Sequence, residues 1–189
     1  MNIIAGSARN LILADLPDQE VRPTAIRSRK ALFDSLGAME GLGVLDLCSG
    51  SGAIALEAAS RGAAWAAMVE NHPAHIECIR ENCRRITAAG CRKNLLVIQS
   101  DILNFTGFRR QLPGTPDLIF ADPPYAISAG LFHKLGADKE FTKFTSGARL
   151  IWEIPSAPGA MGEFLNAEFL DEPQFRRFGS TIFLSGKIK

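Results

Sequence analysis

The sequence predicts an α/β protein in which helices cover both faces of a mostly parallel sheet. Between about residues 43 and 154, short apolar segments alternate with segments whose apolar residues follow a helical period. Nearly continuous apolar strands of this kind are typical of a parallel sheet that is buried on both faces. Residues 169–175 and 180–184 are predicted instead to be two strands joined by a tight turn, and therefore antiparallel. The 189 residues fit a single main domain.

The predicted elements follow one another in a regular order. Residues 2–6 and 10–14 are expected to form a hairpin, and residues 15–21 a linker. Thr24 has the side chain of a helix N-cap, and Gly37 is placed to end the helix that it begins. We expect residues 1–22 to be a small extension of a domain that covers residues 23–189. The remaining strands are predicted at 43–47, 64–70, 94–99, 116–121 and 148–154, and the remaining helices at 53–61, 73–89 and 131–135.

Composition narrows the class of protein. The chain does not open like a signal peptide and has no apolar run near the ~20 residues of a membrane span, so we expect a cytoplasmic protein. Its four cysteines include no close pair, so their spacing predicts neither a metal site nor a disulfide framework. The net charge is only +1, but basic residues cluster at 22–30 and 176–189. Such clusters suit nucleic acid, although a solvated surface has the same pattern.

A glycine-rich turn follows the first parallel strand. Gly50 and Gly52 let a ligand approach the backbone, and the next helix offers free amide groups at its N-terminus. Together with Ala55, the spacing satisfies the dinucleotide fingerprint of nicotinamide and flavin enzymes. The turn alone therefore leaves the ligand open.

Three acidic residues stand at the carboxyl ends of three successive strands, the edge at which α/β sheets bind ligands. Asp46 precedes the glycines, where an anion would repel a pyrophosphate but suits the ammonium group of a methionine moiety. Glu70 is placed to hold ribose hydroxyls. Asp101 is placed to accept a hydrogen bond from an adenine amino group, with Ile102 against the ring. The three acids therefore favour S-adenosylmethionine (SAM) over a dinucleotide.

The fourth strand ends in the sequence Asp-Pro-Pro-Tyr. Pro123 and Pro124 restrict the backbone and present the Asp122 carboxylate and the Pro123 carbonyl as rigid acceptors. Tyr125, the only tyrosine, offers a ring on which a base can stack. Acceptors that hold both N–H bonds of an exocyclic amine would aim its otherwise delocalised lone pair at the SAM methyl group. The turn therefore predicts direct methyl transfer to an amino nitrogen of a base that is flipped out of its stack.

Over nearly its whole length the chain resembles RsmD, a bacterial family of 16S rRNA guanine-N2 methyltransferases. The segments that carry the resemblance are 3–6, 22–33, 45–63, 122–125 and 177–181. The resemblance implies a Rossmann-like, seven-stranded class I methyltransferase fold whose last strand is antiparallel, preceded by a small hairpin that helps to grip RNA. It also implies SAM as cofactor and, as substrate, a guanine of small-subunit rRNA in a partly assembled 30S particle. We expect the protein to act as a monomer.

Carried over position by position, the resemblance implies three groups of functional residues. The residues that act on the base are Asp122, Pro123, Pro124 and Tyr125. The residues that bind SAM are Asp46, Cys48, Gly50, Ser51, Gly52, Glu70, Asn71, Asp101, Ile102 and Asp122. The residues that contact RNA are Arg9, Arg22, Thr24, Arg27 and Arg29.

Departures from the family pattern and three rival functions accompany this interpretation, and one departure is that Pro155 ends the strand of residues 148–154. Cys48 and Ser49 replace a more usual Phe-Ala pair, and the first hairpin carries fewer basic residues than is typical. DNA adenine-N6 and cytosine-N4 methyltransferases share the Asp-Pro-Pro-Tyr turn, although this chain leaves little length for a target-recognition domain. An RNA-binding assembly factor without turnover is the second rival function, and a nicotinamide oxidoreductase is the third.

Overall fold

A seven-stranded sheet forms the centre of the computed structural model, which describes residues 1–17 and 26–189. The strand order is β3-β2-β1-β4-β5-β7-β6. Strands β1 to β5 pair in parallel, and β7 runs antiparallel to both of its neighbours, as predicted. The strands are β1 (Gly43–Leu47), β2 (Trp65–Glu70), β3 (Asn94–Gln99), β4 (Leu118–Ala121), β5 (Arg149–Ile154), β6 (Leu170–Phe178) and β7 (Thr181–Ile188).

Helices occupy the connections between the parallel strands. Gly37 follows the first helix with a φ of +81°, so the predicted end of that helix is confirmed. Thr24, its predicted N-cap, lies outside the described residues. The prediction at 131–135 corresponds to a longer helix, and two short helices were not predicted. The helices are α1 (Ile26–Leu36), α2 (Ala53–Ser60), α3 (Pro73–Ala88), α4 (Phe105–Phe108), α5 (Ser128–Ala137) and α6 (Lys139–Phe144).

Alternate residues of each strand face two separate apolar layers. Leu45 and Leu47 of β1 belong to the layer covered by α4, α5 and α6, whereas Val44 belongs to the layer covered by α1, α2 and α3. All five residues of β1 are buried, as expected for a central strand with helices on both faces. Within the described parts of the chain, no helix is both long and apolar enough to cross a membrane.

Residues 1–14 form the predicted hairpin, although its strands are too short and irregular to extend the sheet. Asn2 and Ile12 make a single antiparallel bridge, and the Ile3 amide donates to the Leu11 carbonyl at 2.9 Å. The apolar side chains of the hairpin pack into the same layer as α1, α2 and α3. The hairpin is therefore held by packing against the helices rather than by pairing with the sheet.

One buried carboxylate attaches the hairpin to α2. Glu57 is fully buried and accepts hydrogen bonds from the backbone amides of Ile4 (2.7 Å) and Ala5 (3.1 Å). The Arg61 Nε also donates to this carboxylate, at 2.6 Å. Because a buried carboxylate is costly unless it is paired and hydrogen-bonded, these three donors make Glu57 a firm anchor for the hairpin.

A buried amide attaches the end of the hairpin to the glycine-rich turn. The Asn82 side chain, fully buried on α3, accepts from the Ala14 amide at 2.6 Å and donates to the Ala14 carbonyl at 3.2 Å. The same side chain donates to the Ser51 carbonyl at 3.0 Å. Leu16 continues this segment over the turn, where a Cβ atom added to Gly50 would lie 3.6 Å from its side chain. Residues 14–17 therefore line the turn.

We predict that Gly6→Ala destabilises the protein more than Gly37→Ala does. Both glycines have a positive φ, +86° and +81°, which costs an alanine about 1–2 kcal/mol. A Cβ atom at Gly6 would also overlap the Ser60 carbonyl of α2, whereas one at Gly37 meets nothing within 4 Å. The overlap should cost Gly6→Ala a further ~1–3 kcal/mol in the free energy of unfolding, measured with denaturant. Equal losses in the two variants would contradict the close hairpin contact.

Candidate active site

The glycine-rich turn between β1 and α2 is built from left-handed backbone. Cys48, Gly50 and Gly52 have φ values of +60°, +53° and +76°. The Gly52 amide donates to the Ser49 carbonyl at 2.7 Å and closes the turn. Glycine adopts this conformation without strain, but a residue with a side chain pays about 1–2 kcal/mol. Strain of this kind at Cys48 is typical of a functional turn that the surrounding fold holds in place.

Glu70 pins the turn to the end of β2. Its carboxylate accepts from the Gly50 amide at 2.9 Å, and also from the amides of Asn71 (2.9 Å) and His72 (3.0 Å). The His75 ring nitrogen Nδ1 lies 3.7 Å from it. Three backbone donors therefore satisfy this carboxylate at the N-terminus of α3. Glu70 therefore fixes both the glycine-rich turn of residues 48–52, which is the predicted cofactor turn, and the start of α3.

Asp46 is buried at the end of β1, beneath the turn. Its Oδ2 accepts from the Ala55 amide at 3.3 Å, in the first turn of α2. Burial raises the pKa of Asp46 well above its ordinary value, and the negative charges of Asp122 and Glu70 raise it further. The hydrogen bond from Ala55 acts in the opposite direction but does not offset the burial.

The acidic residues predicted at the strand ends do converge on one place. Burial raises the pKa of the Cys48 thiol, and the charges of Glu70, Asp46, Asp122 and Asp101 raise it further, in that order. Four carboxylates from four segments of the chain therefore lie close enough to Cys48 to act on the same group. The raised pKa also keeps this thiol protonated and so a poor nucleophile.

Asp101 and Ile102 form the far side of the site, after β3. The exposed Asp101 accepts from the Leu103 amide at 2.8 Å and so shapes its own turn. Ile102 is buried in the layer of α4, α5 and α6. The Asp101 carboxylate therefore faces solvent at the edge of the site, while the Ile102 side chain packs mostly in the core.

The Asp-Pro-Pro-Tyr turn runs from the end of β4 over the end of β5. Asp122 is partly buried and Pro123 is buried, whereas Pro124 and Tyr125 are exposed. The Tyr125 hydroxyl donates to Glu153 Oε1 of β5 at 3.1 Å, although 53% of this tyrosine is exposed. The turn thus presents a partly buried carboxylate and an exposed aromatic ring on the same edge as the cofactor turn.

The start of α5 is fixed behind this turn by a buried hydrogen bond. The indole nitrogen of Trp152 donates to the Ser128 hydroxyl at 2.9 Å, and both side chains are fully buried. Because Trp152 immediately precedes Glu153, this bond also fixes the end of β5. The Glu153 carboxylate, which accepts the hydrogen bond from the Tyr125 hydroxyl, therefore belongs to a rigid part of the sheet.

The predicted RNA-contacting residues separate into three groups. Arg9 on the hairpin and Arg27 on α1 are exposed. Arg29 is not available to RNA in this structure and the prediction for it is wrong: it is only 1% exposed, and its guanidinium contacts the Met1 sulfur and the Asn2 carbonyl. Burial lowers its pKa, while the charge of Glu57 opposes that change. The two remaining positions, Arg22 and Thr24, lie outside the described residues.

Sequence reasoning missed two residues of this region. Glu153 meets the same criterion as the other acids, because it stands near the carboxyl end of a buried strand, and that signal could have found it. Asn82 interrupts an apolar helix face between Ile79 and Ile86, but one polar residue among apolar ones does not reveal its partners. Its contacts with Ala14 and the cofactor turn arise only from the tertiary fold.

The residues present fit a cationic ligand better than a dinucleotide. The Gly50 and Gly52 amides, which a pyrophosphate would need, already donate to Glu70 and to the Ser49 carbonyl. Carboxylates whose charges raise the pKa of Asp46 and of the Cys48 thiol gain stability from a positive charge and lose it to phosphate. SAM carries both a sulfonium and an ammonium group, so the carboxylates of this site suit it.

The sheet order, the antiparallel last strand and the acidic carboxyl edge define a class I methyltransferase fold. Among solved structures, the chain is similar to the ribosomal protein L11 methylase of Lactobacillus delbrueckii subsp. bulgaricus, with a TM-score of 0.60, 19% identity and coverage of 85% of this chain and 77% of that one. It is also similar to a hypothetical protein of Thermus thermophilus, with a TM-score of 0.76, 28% identity and coverage of 100% and 99%.

Residues 1–175 match the family described as "Conserved hypothetical protein 95". The chain belongs to this family, and its resemblance to RsmD is confirmed. It is 34% identical over 129 residues to "Ribosomal RNA small subunit methyltransferase D" of Escherichia coli K12, an alignment that covers 66% of this chain and 60% of that protein. The chain thus aligns with about 60% of the length of that relative.

We predict that Asp46→Asn removes a loss of stability that the wild type suffers as the pH rises. Since the pKa of Asp46 is higher in the folded protein than in the unfolded chain, only the folded state keeps the proton above about pH 4. The free energy of unfolding of the wild type should fall by up to about 1.4 kcal/mol for each pH unit between the two pKa values.

The asparagine variant keeps the shape of the side chain and lacks this titration, so it should be the more stable protein at pH 7. Thermal unfolding of both proteins between pH 4 and pH 8 measures the difference. Parallel pH profiles would show that Asp46 carries no such penalty.

Proposed function

We propose that this protein transfers a methyl group from SAM to the exocyclic N2 of a guanine in 16S rRNA of the small ribosomal subunit. The observation that carries the proposal is the position of Asp122, which follows Ala121 of β4, the residue that pairs with Leu47 at the end of β1. The charge of Asp122 acts on Asp46 at the end of β1 and on Cys48 of the turn that follows. A proline-stiffened carboxylate thus stands beside the predicted cofactor pocket. Membership of the family and the name of the E. coli relative support an rRNA substrate.

In this proposal the acids at the strand ends hold the cofactor. Asp46 and Glu70 would meet its ammonium and ribose groups, and Asp101 would accept from its adenine amino group. When bound, SAM supplies an electrophilic methyl group on a sulfonium centre. The turn, strained at Cys48 and held by the bond from the Gly50 amide to Glu70, would give the ligand a preorganised floor.

The chemical step in this proposal depends on the turn after β4. The Asp122 carboxylate and the Pro123 carbonyl accept from the two N–H bonds of the guanine amine, so that the nitrogen lone pair is directed at the methyl carbon. SAM bound beside this turn would supply the methyl group for an in-line transfer that leaves a neutral thioether, and the Asp122 carboxylate would take the surplus proton of the amine. The exposed Tyr125 ring supports the flipped base by stacking.

Contact with RNA is proposed for two exposed cations. Arg9 on the hairpin and Arg27 on α1 would bind phosphates, while the buried Arg29 is omitted. Residues 1–22 as an RNA-gripping extension, with Arg22 and Thr24, remain a prediction. We further propose that the protein acts as a monomer on a partly assembled 30S particle.

The direct test of this function is incubation with labelled SAM and undermethylated small subunits, followed by nucleoside analysis. N2-methylguanosine is the expected product. N6-methyladenosine or N4-methylcytidine would instead indicate the chemistry of the DNA enzymes that share this turn. Binding of SAM without any labelled product would favour the assembly factor.

We predict that Asp122→Ala retains SAM binding but lowers turnover by at least about 10²-fold, because it removes an acceptor for the reacting amine. SAM affinity is measured by calorimetry and turnover by transfer of labelled methyl groups. Asp171→Ala, which removes an exposed acid on β6, is the matched control and should leave both quantities unchanged. Near-normal turnover of Asp122→Ala would refute the role assigned to this residue.

We also predict that Arg9→Ala and Arg27→Ala each weaken RNA binding and reduce its salt dependence. Loss of one phosphate contact should lower the slope of log K against log salt by about 0.7–0.9. Lys139→Ala removes an exposed cation of α6, which packs on the opposite face of the sheet, and serves as the control. If all three variants bind RNA alike, the hairpin and α1 do not face the nucleic acid.

A further inference from the structure

We propose that Glu153 selects guanine at this site by accepting a hydrogen bond from N1–H of the base, while Asp122 accepts from its amino group. The proposal rests on the proposed function, because it concerns the same base and the same pocket. It adds a specificity-determining residue on β5 to the catalytic turn after β4.

Strand register places the two carboxylates side by side. Ala121 of β4 pairs with Trp152 of β5, and the next residues along the two parallel strands are Asp122 and Glu153. Neighbouring parallel strands lie about 4.8 Å apart. The backbone positions that carry the two carboxylates are therefore about one strand spacing apart, so a base held by Asp122 has a second carboxylate close by.

The catalytic turn already supplies a hydrogen-bond donor to Glu153. The Tyr125 hydroxyl donates to its Oε1 at 3.1 Å, although Glu153 itself is only 5% exposed. A hydrogen-bond donor on the Asp-Pro-Pro-Tyr turn thus reaches this carboxylate, although the glutamate side chain is nearly buried. An ionised carboxylate has two oxygens with about four acceptor sites, so it can accept from the tyrosine and from a base together.

Two neighbouring hydrogen-bond acceptors, the carboxylates of Asp122 and Glu153, discriminate among the bases. On its Watson–Crick edge, guanine presents N1–H next to its amino group, which gives adjacent donors. Adenine and cytosine present their amino group next to an unprotonated ring nitrogen, which is an acceptor and would face the carboxylate unfavourably. In its carboxylate form Glu153 only accepts hydrogen bonds, and in that form it suits guanine and disfavours the other two. The shared Asp-Pro-Pro-Tyr turn alone does not make this distinction.

The test compares guanine with 2-aminopurine, which keeps the 2-amino group but has no proton on N1. Once nucleoside analysis has located the methylated guanine, RNA with either base at that position is supplied to the wild type and to Glu153→Gln. We expect the wild type to prefer guanine in kcat/KM by at least about 10²-fold, because a site built to bind an N–H rejects an analogue that lacks it. Glu153→Gln should reduce this preference at least about tenfold, because its amide can donate to the bare ring nitrogen.

Two further variants separate base selection from support of the tyrosine. Glu153→Ala should also lose the preference, and it replaces Glu153→Gln if that variant does not fold. Tyr125→Phe removes the hydroxyl but keeps both the ring and the carboxylate, so the preference should persist at whatever rate remains. Loss of the preference in Tyr125→Phe, or its retention in a Glu153 variant, would overturn the proposal.

Equal use of guanine and 2-aminopurine by the wild type would also overturn the proposal that Glu153 selects guanine. A wild type that methylates no RNA at all would instead refute the proposed function, so the two failures are distinguishable.

Discussion

Repulsion among carboxylates at one edge of the sheet is the constraint around which this site is arranged. Asp46, Glu70, Asp101 and Asp122 come from four segments, and the charge of each raises the pKa of the partly buried Cys48 thiol. The fold offsets part of this cost with backbone donors, three to Glu70 and one to Asp46. The remaining unfavourable charge is the reason that a sulfonium or ammonium group suits this edge.

In the proposed function the same arrangement would link cofactor binding to chemistry. Asp122 belongs to the carboxylate cluster and also begins the proline-rich turn, so a cation that neutralises the cluster would lie next to the proposed acceptor of the reacting amine. Glu153 extends the acidic edge by one strand and meets that turn through Tyr125. A single row of acids across neighbouring strands would thus bind the cofactor at one end and the base at the other.

Much of this could be predicted from the sequence because it depends on local patterns. Buried parallel strands appear as short apolar runs, and acids at their ends must share an edge whatever the details of packing. The burial of Arg29 could not be predicted in the same way. Arg29 lies among charged residues on a helix for which the sequence predicts a solvent-exposed face. In the structure the N-terminal hairpin covers it, and its guanidinium contacts Met1 and Asn2.

Short elements escaped prediction for a related reason. α4 spans four residues and α6 spans six, too few for a helical period to stand out from a loop. Phe105 and Phe108 of α4 and Phe141 of α6 are buried, and the rings of Phe105 and Phe141 meet edge to face at 5.2 Å. Tertiary packing of these rings, rather than helix propensity, holds the two helices in place.

Asn82 joins the N-terminal segment and the cofactor turn into one cooperative unit. Its amide bonds Ala14 and Ser51 at once, so an opening that lifts the N-terminal segment must also disturb the turn. A ligand that holds the turn closed consequently raises the free energy of that opening. Amide exchange and proteolysis along the first residues of the chain thus become a remote gauge of cofactor occupancy.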